Sequence, residues 1–343
     1  MINIFKITLR GSMLAIVGAF LLSSVTTTPA RAEVKEVRLA QQFGIGYLPL
    51  QMMREYKLIE KAAKKLGLGD IKVTWARFSG GAAMNDALLS GNVDFASGGV
   101  GPLLTIWDKS KGNLNVKGVA ALNAMPLYLN TNNPKVKTLK DFTANDKIAL
   151  PSVKVSVQAR TLQMAAEQAF GPGKYDVLDK WTVSMKHPDG VAALLSGKSG
   201  ITAHFTSPPF MYQELRDPKV HKVISSYDVL GGPSTFNAVW ARAVFRNDNP
   251  KMYKAVVNAL KKSMEMINAD KNAAAKVYIK QTHSKLSLKF IEKIVSDPEI
   301  SFTITPRNTM KYAKFMYKVG ALNTKAKSWK DYFFPEIYGL SGS

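Results

Sequence analysis

Small and hydroxyl-bearing residues cluster where the first part of the sequence passes from predicted strands into predicted helices. Three such turns occur: Phe43-Gly44 with Tyr47, Ser79-Gly80-Gly81, and Gly98-Gly99-Val100-Gly101. Glycine allows a ligand to approach the backbone closely. Each following helix N-terminus offers unpaired N–H groups and partial positive charge. These turns therefore favour reversible binding of an anionic or strongly polar small molecule.

The second part of the sequence repeats this arrangement. Ser152, Val153 and Ser156 stand at the start of a predicted helix, and His204 to Ser207 follow a predicted strand. His204 can be either a hydrogen-bonded structural residue or a ligand contact, and any single turn can serve geometry alone. Because ligands of parallel sheets bind beyond the carboxyl ends of the strands, several such turns together indicate one shared cleft.

The sequence carries no motif for covalent or metal chemistry. Its four histidines lack HExxH spacing, and no acidic cluster suggests a metal site. Gly98 to Gly101 is not followed by Gly-Lys-Ser/Thr, and Ser207-Pro208-Pro209 lacks the elbow that exposes a nucleophile. The chain has no cysteine, which excludes disulfides, thiol nucleophiles and thiolate ligands. We therefore expect no catalytic residue, no metal and no cofactor.

Short strands and helices alternate through the first two thirds of the sequence. Predicted strands at 37–40, 71–77, 93–96 and 116–122 are separated by helices at 50–66, 82–89 and 101–108. The alternation resumes with strands at 147–150, 181–184, 201–204 and 222–225 and helices at 157–170, 190–195 and 211–216. After residues 236–241, helices predominate up to 318. This rhythm predicts two α/β lobes with parallel strands and a helical tail.

The N-terminus, residues 1–32, has the organisation of a secretory signal peptide. Lys6 and Arg10 precede a mostly apolar run at 13–25, and Ala30-Arg31-Ala32 offers a cleavage site. The run is shorter than the ~20 apolar residues of a membrane span, so we expect export and a mature chain that begins at Glu33. A bacterial lipid anchor needs a cysteine, which the chain lacks. The prediction is a periplasmic protein that is not lipid-anchored.

The chain is strongly basic, with a formal charge of +22. Removing the signal subtracts Lys6, Arg10 and Arg31 and leaves +19. The lysines are dispersed, without an arginine-rich block or aromatic-basic repeat, so together with export they argue against nucleic acid as a partner. Such a surface can still enrich anions near the protein.

Four segments carry a family resemblance: SGNVDFASGGVGPLL (90–104), GYLPLQMMREYKLIEKAAKKLGL (46–68), FSGGAAMNDALLSG (78–91) and TLKDFTANDKIALPSVKVSVQARTLQMAAEQAFG (138–171). In this order they resemble the nitrate/sulfonate/taurine/thiamine-precursor group of ABC substrate-binding proteins, over nearly all of the mature chain. The resemblance implies a bilobal, type II periplasmic binding protein fold whose two α/β lobes close by hinge motion. It places lobe 1 at 33–135, lobe 2 at 136–234, and the return to lobe 1 with the C-terminal helices at 235–343. The two hinge crossings would fall near 128–140 and 234–237.

The same resemblance implies a set of ligand contacts. In lobe 1 they are Tyr47, Ser79, Gly80, Gly99 and Val100; in lobe 2 they are Ser152, Ser156, His204 and Ser207; by the crossings they are Tyr128 and Asn237. One departure concerns charge, because these turns hold no arginine and only Lys154, whereas nitrate or sulfonate would gain from a fixed cation. A sulfonate or taurine-like molecule, an aromatic carboxylate and a pyrimidine precursor therefore all remain as ligands.

The resemblance also implies a function. We expect a monomeric, periplasmic solute-binding component that delivers a small molecule to an inner-membrane ABC permease with its ATPase. One alternative is a ligand-sensing protein that presents its closed form to a membrane receptor. Another is an enzyme on the same fold, but the enzymes of similar fold depend on cysteine, which is absent here.

Overall fold

The computed structural model describes residues 32–343, so the predicted signal peptide lies outside the described residues. The strands of this part of the chain are β1 (Glu36–Gln41), β2 (Lys72–Arg77), β3 (Phe95–Gly99), β4 (Lys117–Ala121), β5 (Tyr128–Thr131), β6 (Ile148–Leu150), β7 (Thr182–Ser184), β8 (Ala203–Thr206), β9 (His221–Ser225) and β10 (Asn237–Ala241). The helices are α1 (Leu48–Glu55), α2 (Leu58–Lys65), α3 (Gly81–Leu89), α4 (Val100–Lys109), α5 (Val157–Phe170), α6 (His187–Ser196), α7 (Phe210–Glu214), α8 (Ser226–Leu230), α9 (Ala243–Asp248), α10 (Pro250–Ala269), α11 (Lys271–Thr282), α12 (Leu288–Val295) and α13 (Thr309–Lys318).

The strands form two five-stranded sheets, one in each lobe. The first has the order β2-β1-β3-β10-β4, with β1 parallel to β2 and β3 and with β10 antiparallel to its neighbours. The second has the order β7-β6-β8-β5-β9, with β6 parallel to β7 and β8 and with β5 antiparallel to its neighbours. Each sheet thus combines parallel strands with one inserted antiparallel strand. That insertion is how the chain enters the second sheet and returns to the first.

The chain passes between the sheets at 122–127 and again at 231–236. Because β5 begins at Tyr128, the first passage comes before the range 128–140 that the sequence predicted, whereas the second contains Ser234 as expected. The two passages run side by side, joined by a bridge between Ala124 and Thr235. Ala124 also exchanges two backbone hydrogen bonds of 2.8 Å with Ser301 of the C-terminal tail. Three chain segments therefore meet where the chain passes between the sheets.

Local backbone chemistry explains where the elements differ from the predicted ones. The helix expected at 50–66 is two helices, because Lys57 adopts a left-handed conformation (φ 50°) between α1 and α2. The third strand runs from Phe95 to Gly99, later than expected, so that its small residues lie buried between β1 and β10. Gly98 is required there, since a Cβ would come within 2.8 Å of the Gln42 side chain and 3.0 Å of Trp240.

The helical tail covers the first lobe and then reaches the second. Helix α10 presents buried residues at helical spacing, including Met252, Val256 and Leu260, and packs against α1 and α2. Burial of this apolar stripe contributes roughly 25 cal/mol per Å². Helix α13 instead contacts both α4 and α5, and the Tyr312 hydroxyl lies 2.8 Å from that of Thr161 on α5. The tail therefore contacts both lobes, and its last helix begins beside the second passage, where the Asn308 side chain donates to the Pro233 carbonyl over 2.8 Å.

Across residues 32–343, no helix combines the length and apolar character that crossing a membrane requires.

Candidate functional site

A narrow cavity of about 10 Å³ lies where the two lobes face each other. It is reached by the ends of strands from both sheets: Gln42 follows β1, Gly99 ends β3, and Pro151 follows β6. The complete lining is Gln42, Phe43, Tyr47, Gly81, Gly99, Pro102, Pro151, Ser156, Val157, Gln158, His187 and Phe236. Proteins with parallel α/β sheets bind their ligands at this location, beyond the carboxyl ends of the strands.

The lobes are in direct contact around this cavity. The Ile45 N–H of the first lobe donates to the Pro208 carbonyl of the second over 3.0 Å. A Cβ on Gly80 would lie 2.6 Å from the Pro151 carbonyl oxygen, and one on Gly99 would lie 2.7 Å from Val157. The absence of a side chain at these two glycines is what lets the lobes approach so closely. The structure therefore shows the closed arrangement of the two lobes.

Three helix N-termini converge on the cavity. Gly80 is the N-cap of α3, Gly99 of α4 and Ser156 of α5. The Ser156 hydroxyl accepts a hydrogen bond from the Ala159 N–H over 3.2 Å, which satisfies one donor of the first turn of α5. The remaining N–H groups and the helix dipoles make this part of the cleft electropositive without any charged side chain.

The polar side chains that line the cavity are all uncharged at neutral pH. No Lys, Arg, Asp or Glu belongs to the lining among residues 32–343. Lys154 is exposed, and Arg160 donates to Gln163 over 2.9 Å. Arg77 stacks its guanidinium over the ring of Phe43 at 5.2 Å, which brings one exposed cation to the rim. The cleft is therefore suited to ligands held by neutral donors, with positive charge only nearby.

Tyr47 is held by a buried amide network. Its hydroxyl oxygen accepts from the Asn237 side-chain nitrogen over 3.1 Å. The Asn237 N–H in turn donates to the Asn123 side-chain oxygen over 3.3 Å, and the Asn123 side chain donates to the Gly46 carbonyl over 2.7 Å. Burial raises the pKa of Tyr47 far above its ordinary value of 10. The phenol therefore stays protonated, and its hydrogen remains available for a second partner.

The second lobe contributes two polar side chains that meet at the cavity. The Gln158 side-chain nitrogen lies 3.2 Å from His187 Nε2, and His187 Nδ1 lies 3.0 Å from His204 Nε2. Burial and the positive charge that His204 can carry both lower the pKa of His187 well below 6.5, in that order of importance. His187 is therefore a neutral imidazole that can donate or accept, depending on its tautomer.

The expected contacts fall into three groups. Tyr47, Gly99 and Ser156 line the cavity. Gly80 meets Ser152 across the cleft, and Ser207 lies against Gly44, where its hydroxyl would be 3.4 Å from a Cβ. The other five lie away from the cavity. Ser79 is exposed, Val100 is buried in the first turn of α4, and Tyr128 is hydrogen-bonded to Glu299. Asn237 lies behind Tyr47, and His204 is fully buried behind His187.

Sequence reasoning missed several lining residues, of which His187 is the most polar. The helix expected at 190–195 begins at His187, so this side chain stands in its first turn and not in the preceding loop. A signal was present, because Pro188 is typical of the first turn of a helix. Gln158 and Val157 likewise follow the predicted N-cap Ser156 directly.

Comparisons with known proteins agree with this geometry at the level of the fold. No protein-family model matches the chain, and no curated protein matches its sequence. Among solved structures it is similar to the alkanesulfonate-binding protein SsuA from Xanthomonas axonopodis pv. citri bound to MOPS, with a TM-score of 0.68, 16% identity, and coverage of 86% of this chain and 96% of that one.

Two further solved structures show the same likeness. The aliphatic sulphonate binding protein SsuA from Escherichia coli gives a TM-score of 0.62 at 17% identity, covering 88% of this chain and 92% of the other. The nitrate-binding protein NrtA from Synechocystis PCC 6803 gives a TM-score of 0.68 at 16% identity, covering 86% of this chain and 84% of the other. The chain thus has the periplasmic binding protein fold, which confirms the fold predicted from the sequence.

Proposed function

We propose that this chain is the solute-binding component of an ABC importer, which captures a small polar or anionic organic molecule between its lobes. The observation that carries the proposal is the cleft itself, where strand ends of both sheets and the N-termini of α3, α4 and α5 meet, and where Gly80 and Gly99 let the lobes touch. The structural neighbours include sulfonate-binding and nitrate-binding proteins. Their likeness to this chain supports the proposal through the fold.

Capture proceeds by hinge closure. The cavity of about 10 Å³ holds no more than one water-sized sphere, so an organic ligand enters only when the lobes separate. The adjacent passages at 122–127 and 231–236 supply the hinge. Contacts such as Ile45 to Pro208 break on opening, and the lobes then close around the ligand with the cavity widened to its size.

The proposed ligands are a sulfonate or taurine-like molecule, an aromatic carboxylate or a pyrimidine precursor. Neutral donors such as Tyr47, Ser156, Gln158 and His187, together with helix N-termini, suit oxygen acceptors on a ligand of this size. Phe43 and Phe236 provide apolar surface for its organic part. Binding is reversible and involves no covalent step or cofactor.

The setting that we propose is the periplasm, after removal of the predicted signal peptide. There the protein acts as a monomer and delivers its ligand to an inner-membrane permease with its ATPase. The formal charge of +19 on the mature chain would raise the local concentration of anions and speed their capture.

A thermal-shift panel tests this proposal on the chain from Glu33 to Ser343. The protein is unfolded and refolded to strip carried ligand, then heated with nitrate, taurine, alkyl sulfonates, aromatic carboxylates and pyrimidine thiamine precursors. A ligand at a hundredfold excess over its Kd stabilises the native state by about 2.7 kcal/mol. We expect a shift of several degrees for one chemical class. A folded protein that no member of the panel stabilises would contradict the proposal.

A further inference from the structure

A row of three ionisable side chains runs from the cavity into the second lobe. His187 lines the cavity, and its Nδ1 lies 3.0 Å from His204 Nε2. His204 Nδ1 lies 2.5 Å from a carboxylate oxygen of Glu214. His204 and Glu214 are fully buried, and His187 is only 6% exposed. The row therefore connects the cleft to a buried carboxyl group.

The surroundings hold this row in place. The Asn130 side chain donates to the second Glu214 oxygen over 2.9 Å and to the Met211 carbonyl over 3.0 Å. Helix α6 has a glycine, Gly190, where its backbone passes the His204 ring, and a Cβ there would lie 2.6 Å from His204 Nε2. A larger residue would push the imidazoles apart. The close approach of the two rings thus depends on this glycine.

The distances along the row are compatible with one arrangement of its protons. In this arrangement Glu214 accepts from His204 Nδ1, and the Gln158 side-chain nitrogen donates to His187 Nε2. His187 then carries its proton on Nδ1 and donates either to His204 Nε2 at 3.0 Å or to the Thr206 hydroxyl at 2.9 Å. Both imidazoles are neutral in this arrangement, and the row bears one negative charge, on Glu214.

Few other charges face this row. Of the elements packed against α6, β8 supplies His204, α7 supplies Glu214, and β6 supplies no charged group. On α6 itself, Asp189 pairs with Lys186 over 3.4 Å at exposed positions. A bound anion would therefore meet no fixed cation in the cavity, and burying an unpaired charge is costly.

Resting on the proposed solute-binding function, we propose that the row takes up one proton when a sulfonate or carboxylate binds, and that His187 recognises the ligand oxygen as a donor. A proton from solvent adds to His187 Nε2, and the Nδ1 proton passes to His204 Nε2. His204 becomes an imidazolium beside Glu214, so the charge of the row changes from −1 to 0. With a singly charged ligand the enclosed site keeps its total of −1.

This mechanism explains how a cleft without a lining cation can prefer an anion. The positive charge is created on binding and lies on His204, paired with Glu214. Because burial lowers the pKa of His187, the two imidazoles are not charged at the same time. Gln158 then turns its oxygen toward His187 or yields that position to the ligand.

Isothermal titration calorimetry measures the proton uptake directly. Ethanesulfonate and benzoate are titrated into residues 33–343 at pH 7.5, in buffers of different ionisation enthalpy. We expect an uptake of one proton for each anion bound, and an affinity that rises about tenfold per unit fall in pH. Glu214→Gln should abolish the uptake and weaken anion binding at least tenfold.

Two variants serve as controls. His283→Asn changes an exposed histidine with a left-handed backbone, which Asn tolerates, and should bind like the wild type. Arg77→Gln removes the cation at the rim and should lower affinity while one proton is still taken up. Should Glu214→Gln fail to fold, imidazole ¹⁵N spectra of the wild-type protein answer the same question, because ligand should move the His187 proton from Nδ1 to Nε2.

The outcomes separate this inference from the proposed function. Anion binding without proton uptake, or with unchanged imidazole spectra, overturns the inference and leaves the solute-binding function standing. Binding of a neutral pyrimidine but of no anion overturns it in the same way. If none of the panel binds, the proposed function fails as well.

Discussion

At the scale of single residues, the close contact between the lobes depends on the side chains that glycines lack. Position 80 has an extended backbone (φ −167°) that any residue can adopt. A glycine is needed there because Ser152 and Pro151 approach closely, and not because of backbone strain. The same holds for Gly190 beside His204. Turn composition in the sequence was enough to predict Gly80 and Gly99 as cleft residues, although it could not show what lies opposite them.

Replacing Gly80 with alanine should weaken ligand binding while leaving the folded lobes intact. The added methyl group strains only the closed form, at a cost of about 1–3 kcal/mol, or roughly tenfold or more in Kd. Gly339→Ala is the matched control, because nothing lies within 4 Å of its Cβ position. Calorimetric affinity and melting temperature are compared for both variants. Equal affinity in Gly80→Ala would show that this contact is not part of closure.

His187 should make stability depend on pH. Burial lowers its pKa well below 6.5, so below about pH 6.5 the unfolded chain binds a proton that the native protein does not. The free energy of unfolding should therefore decrease as the pH is lowered below about 6.5, by up to about 1.4 kcal/mol per pH unit. Urea unfolding at pH 7.5, 6.5 and 5.5 should show a shallower dependence in His187→Gln and an unchanged one in His283→Asn. An identical dependence in His187→Gln would contradict this prediction.

At the scale of elements, the order of strands and helices was predictable but their ends were not. Alternating apolar segments and glycine-rich turns indicated both α/β lobes, and the structure confirms them. The break at Lys57 and the early start of α6 at His187 depend on tertiary packing, which overrides the helix-forming tendency of single residues. Missing the start of α6 concealed His187, so that His204 was the one histidine named among the candidate ligand contacts.

Helix α13 should stabilise the molecule through its contact with the second lobe. Thr161 donates to the Val157 carbonyl over 2.8 Å, so the buried Tyr312 hydroxyl donates to Thr161. Tyr312→Phe should lower the free energy of unfolding by about 1 kcal/mol, because Thr161 loses that donor. Tyr317→Phe, at an exposed position of the same helix, should change it by less than about 0.5 kcal/mol. Equal urea midpoints for the two variants would argue against a stabilising tie.

At the scale of the whole molecule, the proposed function requires the two lobes to move relative to each other about the passages at 122–127 and 231–236. The contacts between the lobes include the Ile45 to Pro208 hydrogen bond and the Gly80 to Ser152 approach. A sequence can indicate two lobes through its repeated rhythm. The position of one lobe against the other could not be predicted, because it depends on side chains far apart in the chain, such as Gly99 and Val157.

Closure should be visible in solution. Small-angle X-ray scattering of residues 33–343 should give a smaller radius of gyration with saturating ligand than without it, because the lobes approach each other about the passages at 122–127 and 231–236. Gly80→Ala should reduce this contraction. A radius that stays the same at saturation would count against hinge motion.

The central claim is that this chain binds a small molecule between its lobes and releases it unchanged. Isothermal titration of the refolded wild-type chain with the compound that gives the largest thermal shift tests it directly, followed by NMR of the recovered compound. The account predicts one ligand bound per chain and a compound identical to the one added. Chemical conversion of the compound, or saturation at a ratio other than one ligand per chain, would contradict it.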